Sequence, residues 1–129
     1  MKRTIGLTGN SGAGKSTVAE YLEKLGAEII DADRISRELC EPGKIGYLAV
    51  KEAFGTEFFR AGGTLDRHKL GAYVFADREA LIRLNNILHP LVLNEVRRRK
   101  EASEKDTVVI DCALLVDTGL DRDVDEIWL

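Results

Sequence analysis

Little cysteine, no long apolar run and no surplus of either charge mark this 129-residue sequence, and each shortage removes a class of function. Its two cysteines, Cys40 and Cys112, stand alone, with neither metal-ligand spacing nor a disulfide framework. A thiolate metal centre and a stapled secreted scaffold are therefore excluded, and reduced thiols in a cytoplasmic protein are expected. Cys112 adjoins a predicted buried strand end, where packing rather than reactivity is expected. No segment has the apolar length of a membrane span. The first strand starts within a few residues of Met1, which leaves no room for a signal peptide. With 19 Lys and Arg against 22 Asp and Glu, the net charge is −3. That balance offers no basic footprint to nucleic acid or to an anionic membrane, so neither is an expected partner. The single basic run, Arg97-Arg98-Arg99-Lys100, falls in an apparent helix with Glu95, Glu101 and Glu104. Consecutive helical residues point in different directions, so the run reads as a solvated face. No internal repeat and no low-complexity linker is present.

What is present begins at Gly9. The stretch Gly9-Asn10-Ser11-Gly12-Ala13-Gly14-Lys15-Ser16-Thr17 fits the phosphate-binding P-loop, G-x-x-x-x-G-K-[ST], without a mismatch. Before it, Thr4-Ile5-Gly6-Leu7-Thr8 reads as a buried strand. After it, Ser16 to Leu25 reads as a helix, with Val18, Leu22 and Leu25 at helical spacing and Gly26 as its C-cap. A strand feeding a glycine-rich turn into a helix aims several backbone N–H groups at one point, and the helix N-terminus adds partial positive charge. Asn10, Ser11, Gly12, Ala13, Gly14, Lys15, Ser16 and Thr17 are thus the expected nucleotide-binding residues. Lys15 is placed to reach the β- and γ-phosphates, and the Ser16 hydroxyl to ligate the Mg²⁺ that bridges them. The ligand this implies is a nucleoside triphosphate, with ATP and Mg²⁺ as the expected cofactors.

The remaining pattern is α/β. A second strand, Ala27 to Asp31, ends in Asp31-Ala32-Asp33, and strand–helix–strand at this length implies a parallel sheet. Ligands of such sheets bind beyond the carboxyl ends of the strands, where the P-loop and both carboxylates fall. Residues 34–105 read as almost wholly helical. One helix is stopped by Pro42-Gly43 and another by Gly55. Asp66 and Asp77 are set to cap two more, the last carrying the stripe Leu81, Leu84, Ile87 and Leu88. Pro90 predicts a break or kink at His89 before a long helix to about Lys105. The sheet returns at Thr107-Val108-Val109-Ile110-Asp111, a β-branched run whose terminal Asp111 can hold Mg²⁺ directly or through water, or cap the strand. Asp125 to Leu129 reads as the start of a fourth strand. The expected organisation is one domain, 1–129: a nucleotide-binding core of 1–33 with 106–129, and a helical, acceptor-binding insertion of 34–105. A regulatory GTPase is disfavoured, since the Asn-Lys-x-Asp guanine motif is absent and Asp111 lacks the following switch glycine.

Motifs spread along the whole length resemble the dephospho-coenzyme A kinase family. They are Gly6-Leu7-Thr8-Gly9 leading into the P-loop, Ile30-Asp31-Ala32-Asp33, Glu41-Pro42-Gly43, Gly63-Thr64-Leu65-Asp66-Arg67, Val74-Phe75-Ala76-Asp77, Leu88-His89-Pro90 and Asp111-x-x-Leu114-Leu115. The resemblance implies a P-loop kinase that uses ATP to phosphorylate the ribose 3′-hydroxyl of dephospho-CoA, the last step of coenzyme A biosynthesis. It implies Asp33 as general base beside Lys15 as the other catalytic residue. A carboxylate orienting metal-bound water is the alternative for Asp33. Asp31 is expected to support the strand end or the metal shell. His89 is open between a structural role and an acceptor contact. Another small-molecule P-loop kinase, or a nucleotide-binding module without turnover, are the competing readings. The family's usual Pro-Leu-Leu-Phe-Glu is here Ala113-Leu114-Leu115-Val116-Asp117, which alters the rim of the expected acceptor pocket. The family is also longer, so the expectation from sequence is a chain without the C-terminal strand and lid. Such a chain would bind nucleotide with little or no catalysis and could self-associate through an incomplete sheet edge.

Overall fold

The computed structural model describes residues 2–9, 14–113, 115 and 119–128. They form four strands and five helices: β1 (Arg3–Leu7), α1 (Lys15–Lys24), β2 (Glu28–Asp31), α2 (Ala32–Leu39), α3 (Ile45–Phe54), α4 (Arg67–Ala76), α5 (Arg78–Ala102), β3 (Thr107–Asp111) and β4 (Glu126–Trp128). The strands make one sheet of order β2-β3-β1-β4, every pair parallel. The fold is thus the α/β parallel sheet that the strand–helix–strand pattern implied.

The chain divides into two compact units, one of residues 1–35 with 93–129, the other of residues 36–92. The expected insertion ran to 105. Residues 93–102 of α5 instead belong with the sheet, where Arg97 and Lys100 reach the short 3-10 turn Leu120–Asp123.

In the sheet unit, β3 is one of the two inner strands, and Val108, Val109 and Ile110 have no exposed surface. Side chains alternate between the faces of a strand. Ile5, Leu7 and Val109 pack with Ala19 and Leu22 of α1, while Gly6 lies under Leu115 and Val124. Of the three apolar residues that marked α1 in the sequence, only Leu22 is buried; Val18 and Leu25 are exposed, and the small Ala19 takes the position against the sheet. α1 ends at Lys24 with Leu25 as its C-cap, and the expected cap, Gly26, follows one residue later with a φ of 100° that favours a residue without a Cβ. β4 is set on β1 by Asp125, whose carboxylate accepts from Thr4 N at 2.8 Å while its own N donates to Thr4 O at 2.7 Å.

The helical unit has its own core, with Val50, Phe54, Phe58, Leu70, Val74 and Ala80 at the centre. The predicted stripe Leu81, Leu84, Ile87 and Leu88 packs against it. Each fully buried Val, Leu or Phe of that core contributes roughly 1.5–3 kcal/mol. The carboxylates expected to cap do so: Asp66 Oδ1 accepts from Lys69 N at 3.1 Å, and Asp77 Oδ1 from Glu79 N at 3.1 Å and Ala80 N at 3.2 Å. Of the break or kink expected at His89, the break is absent. α5 runs uninterrupted through Pro90, which forfeits the bond that its nitrogen would have made to the Asn86 carbonyl. Pro90 faces solvent, so its ring displaces no core residue, and the apolar stripe on the other side carries the helix past it.

Candidate phosphate-binding and acid–base site

β1 delivers the chain to the carboxyl edge of the sheet, and α1 leaves from there. Gly9, at φ 124°, and Gly14, at φ 79°, take up the left-handed backbone on either side of the loop. Asn10, Ser11, Gly12 and Ala13 lie outside the described residues, as do Leu114, Val116 and Asp117. Gly14 is the N-cap of α1 and offers no side-chain cap, so the first turn keeps its N–H groups for an external acceptor. Lys15 is the first residue of α1; Ser16 and Thr17 follow it and are exposed.

Register brings the acids together. Asp111 ends β3 directly beside Leu7 of β1 on one side and Asp31 of β2 on the other. The Lys15 ammonium reaches Asp111 Oδ1 at 2.8 Å, with only 10% of the lysine side chain and 15% of the aspartate side chain exposed. Oδ1 is buried and receives no hydrogen bond of good angle among the described residues, so the contact is ionic and the oxygen's lone pairs are not fully used. Burial pulls the Lys15 ammonium down, but the contact with Asp111 and the charges of Asp111, Asp33 and Asp31 outweigh it, and the group sits above its ordinary value. The site is built around a fixed positive charge.

Asp31 and Asp33 have separate duties. Asp31 Oδ1 accepts from Arg34 N at 3.0 Å, starting α2 directly from the strand end, two residues earlier than the sequence pattern implied. Asp33, in the first turn of α2, accepts from Ala113 N through Oδ2 at 3.3 Å. The Ala113 carbonyl in turn accepts from Thr8 Oγ1 at 3.0 Å. In the sequence Thr8 stands out only as part of Gly6-Leu7-Thr8-Gly9 and Ala113 only at the altered rim of the expected acceptor pocket, with no role toward Asp33 expected of either. Ser16, Lys15, Asp111 and Asp33 thus converge on one edge, while His89 lies in α5 within the helical unit.

The residues present suit a hydrated divalent cation. The described residues contain no ready cluster of three His, Cys, Asp or Glu side chains. Mg²⁺ in phosphoryl-transfer sites is held by one or two protein oxygens with the substrate phosphates, and the under-used Asp111 Oδ1 near the Ser16 turn is a donor set of that kind. A separate cavity of about 440 Å³ in the sheet unit is lined by Arg3, Leu22, Leu25, Asp106, Thr107 and Trp128.

Comparison with known proteins agrees over nearly the whole chain. The family model described as dephospho-CoA kinase matches residues 3–129. A dephospho-CoA kinase of Carboxydothermus hydrogenoformans is 46% identical over 128 residues, covering 97% of this chain and 62% of the relative. One from Streptomyces avermitilis is 52% identical over 117 residues, covering 90% and 57%. Among solved structures, TT1252 from Thermus thermophilus superposes with a TM-score of 0.84 at 31% identity, covering 98% of this chain and 63% of that one. The dephospho-CoA kinase from Campylobacter jejuni superposes with a TM-score of 0.65 at 26% identity, covering 84% and 56%. The chain therefore spans about three fifths of the length of the relatives it matches.

Proposed function

Because the chain belongs to the dephospho-CoA kinase family, we propose that the protein transfers the γ-phosphoryl group of ATP to the ribose 3′-hydroxyl of dephospho-CoA, giving coenzyme A and ADP. The observation that carries this reading is the meeting of Lys15, Asp111 and Asp33 at the carboxyl edge of the sheet, beside the first turn of α1. The P-loop residues Asn10 to Thr17 hold the triphosphate, with Lys15 exchanging part of its contact with Asp111 for phosphate oxygens. Ser16 and Asp111 would hold Mg²⁺, which when bound neutralises charge on the β- and γ-phosphates.

Asp33 is the general base. One carboxylate oxygen is committed to Ala113 N, leaving the other to take a proton. The 3′-hydroxyl oxygen forms the new bond to the γ-phosphorus, its proton passes to Asp33, and the bond to the ADP oxygen breaks. The helical insertion, residues 34–105, is the expected acceptor-binding segment. Within residues 36–92 a cleft is lined by Cys40, Leu65, Leu70, Leu84 and Leu88, with Arg67 among them. No helix among the described residues is long and apolar enough to cross a membrane, and neither cysteine forms a disulfide. A cytoplasmic location accords with this chemistry.

The test is incubation of the protein with ATP, Mg²⁺ and dephospho-CoA, with coenzyme A and ADP followed together. Equal amounts of both are expected from a chain of the relatives' full length, where Asp33→Asn lowers kcat by about 10²–10⁴, and little turnover from these 129 residues alone. ATP hydrolysis that ignores dephospho-CoA would refute the acceptor, and full turnover in Asp33→Asn would refute the base.

A further inference from the structure

From the hydrogen bonds at the ends of β1 and β3, we infer that Thr8 is a positioning residue for Asp33, acting through the backbone of Ala113. The inference rests on the reading of Asp33 as the base. Asp33 Oδ2 accepts from Ala113 N at 3.3 Å, a bond between residues 80 apart in sequence. Ala113 contributes only its backbone, since its side chain is a methyl group, so whatever fixes that backbone fixes the carboxylate. Two bonds do so. Cys112 N donates to Leu7 O at 3.0 Å, extending the β1–β3 ladder by one residue, and Thr8 Oγ1 donates to Ala113 O at 3.0 Å.

Thr8 is itself anchored, its N–H donating to Trp128 O of β4 at 3.0 Å. Its backbone position is therefore independent of its hydroxyl. Ala113 is exposed and lies in a turn beyond the last ladder pair, where the sheet no longer holds it. Among the described residues, the Thr8 hydroxyl bonds the Ala113 carbonyl to the strand end that leads into Gly9. Loss of the hydroxyl frees the Ala113 carbonyl, loosens the N–H that orients Asp33 and lets the carboxylate wander from the acceptor oxygen. Displacements of this kind cost turnover rather than nucleotide binding.

Thr8→Val removes the hydroxyl at nearly constant shape, and Thr8→Ser keeps the hydroxyl without the methyl. Two readouts separate positioning from a general structural effect. The first is hydrogen exchange at the Ala113 amide in ¹⁵N-labelled protein, which requires no activity. Thr8→Val is expected to speed it about five- to tenfold, the equivalent of one ordinary hydrogen bond. The second is steady-state kinetics with ATP and dephospho-CoA in a chain of the relatives' full length, where kcat falls about tenfold in Thr8→Val while the KM for ATP stays within twofold. Thr8→Ser restores both to within about twofold. Unchanged Ala113 exchange in Thr8→Val, an ATP KM that rises in step with the fall in kcat, or a Thr8→Ser protein as impaired as Thr8→Val would each overturn the inference. If the unmodified chain of full length makes no coenzyme A, the proposed activity fails, and the amide exchange alone still decides whether Thr8 holds the Ala113 turn.

Discussion

The ammonium of Lys15 stands 2.8 Å from Oδ1 of Asp111, joining the start of α1 to the end of β3 across the sheet edge. Both side chains are largely buried, so the pair matters to folding as well as to phosphate binding. Lys15→Met leaves the Asp111 carboxylate without its cation. The expected result is a loss of at least tenfold in ATP affinity and of about 1–3 kcal/mol in stability, measured by nucleotide titration and urea unfolding.

The same pair predicts an alkaline limit. Lys15 titrates above its ordinary 10.5, because the attraction of Asp111, Asp33 and Asp31 outweighs the cost of burial. A raised folded value means that its stabilisation is complete below 10.5 and is lost as pH climbs through the higher folded value. The stability gap between wild type and Lys15→Met should be flat from pH 7 to 10 and close above that. A gap that closes in the acid range instead would contradict the assignment.

Glu95 predicts the opposite edge of the pH range. Its carboxylate accepts from Arg98 Nε at 2.7 Å, Arg98 Nη2 at 2.8 Å and Arg99 Nε at 2.8 Å. The hydrogen bonds from Arg98 lead in lowering it from 4.5 to about 2; burial opposes them, and the Arg99 hydrogen bond and both guanidinium charges assist. A lowered folded value means stabilisation present above 4.5 and lost as pH falls towards 2. Solvent around the exposed guanidiniums keeps the net contribution on the order of 1 kcal/mol. Glu95→Gln should remove that part of the acid dependence, read from unfolding curves between pH 5 and 2 and from the Glu95 carboxyl resonance.

Gly6→Ala is expected to destabilise the sheet unit by about 1–3 kcal/mol. A Cβ at that position would lie 2.6 Å from Leu115 Cδ2 and 3.2 Å from Val124 Cγ1. The methyl would push back the segment after β3, so the melting temperature should drop. Gly6→Ala with Leu115→Ala should recover part of the loss, and no recovery would place the strain elsewhere.

Pro90→Ala tests the uninterrupted course of α5. Proline inside a helix costs about 3 kcal/mol relative to alanine, of which about 1 kcal/mol is returned by its stiffening of the unfolded chain. The substitution should therefore raise stability by about 2 kcal/mol in urea unfolding. A decrease would mean that the ring makes a native contact of its own.

The helices and strands were legible because their signals are local. Asp66 and Asp77 read as caps and cap, Gly26 turns the chain one residue after the C-cap of α1, and the Leu81–Leu88 stripe packs, partly buried, against the core as spaced. The misreadings came where a local rule competed with packing. Pro90 reads as a break or kink, and the helix does not break there, its apolar face carrying it through. Val18 and Leu25 read as core by spacing, yet the strands under α1 leave room against them only for Ala19 and Leu22.

Sequence alone determined the parallel α/β class, the strand–turn–helix that presents Lys15, and the acids that end two strands, because each depends on neighbours a few residues apart. Only the tertiary structure decided which acid does what. Asp111 meets Lys15, Asp31 caps α2, and Asp33 takes the Ala113 N–H. That division follows from β3 lying between β1 and β2, and from a Thr8–Ala113 bond spanning 105 residues. Contacts at such range are set by strand order, register and burial, which residue spacing along a chain does not encode.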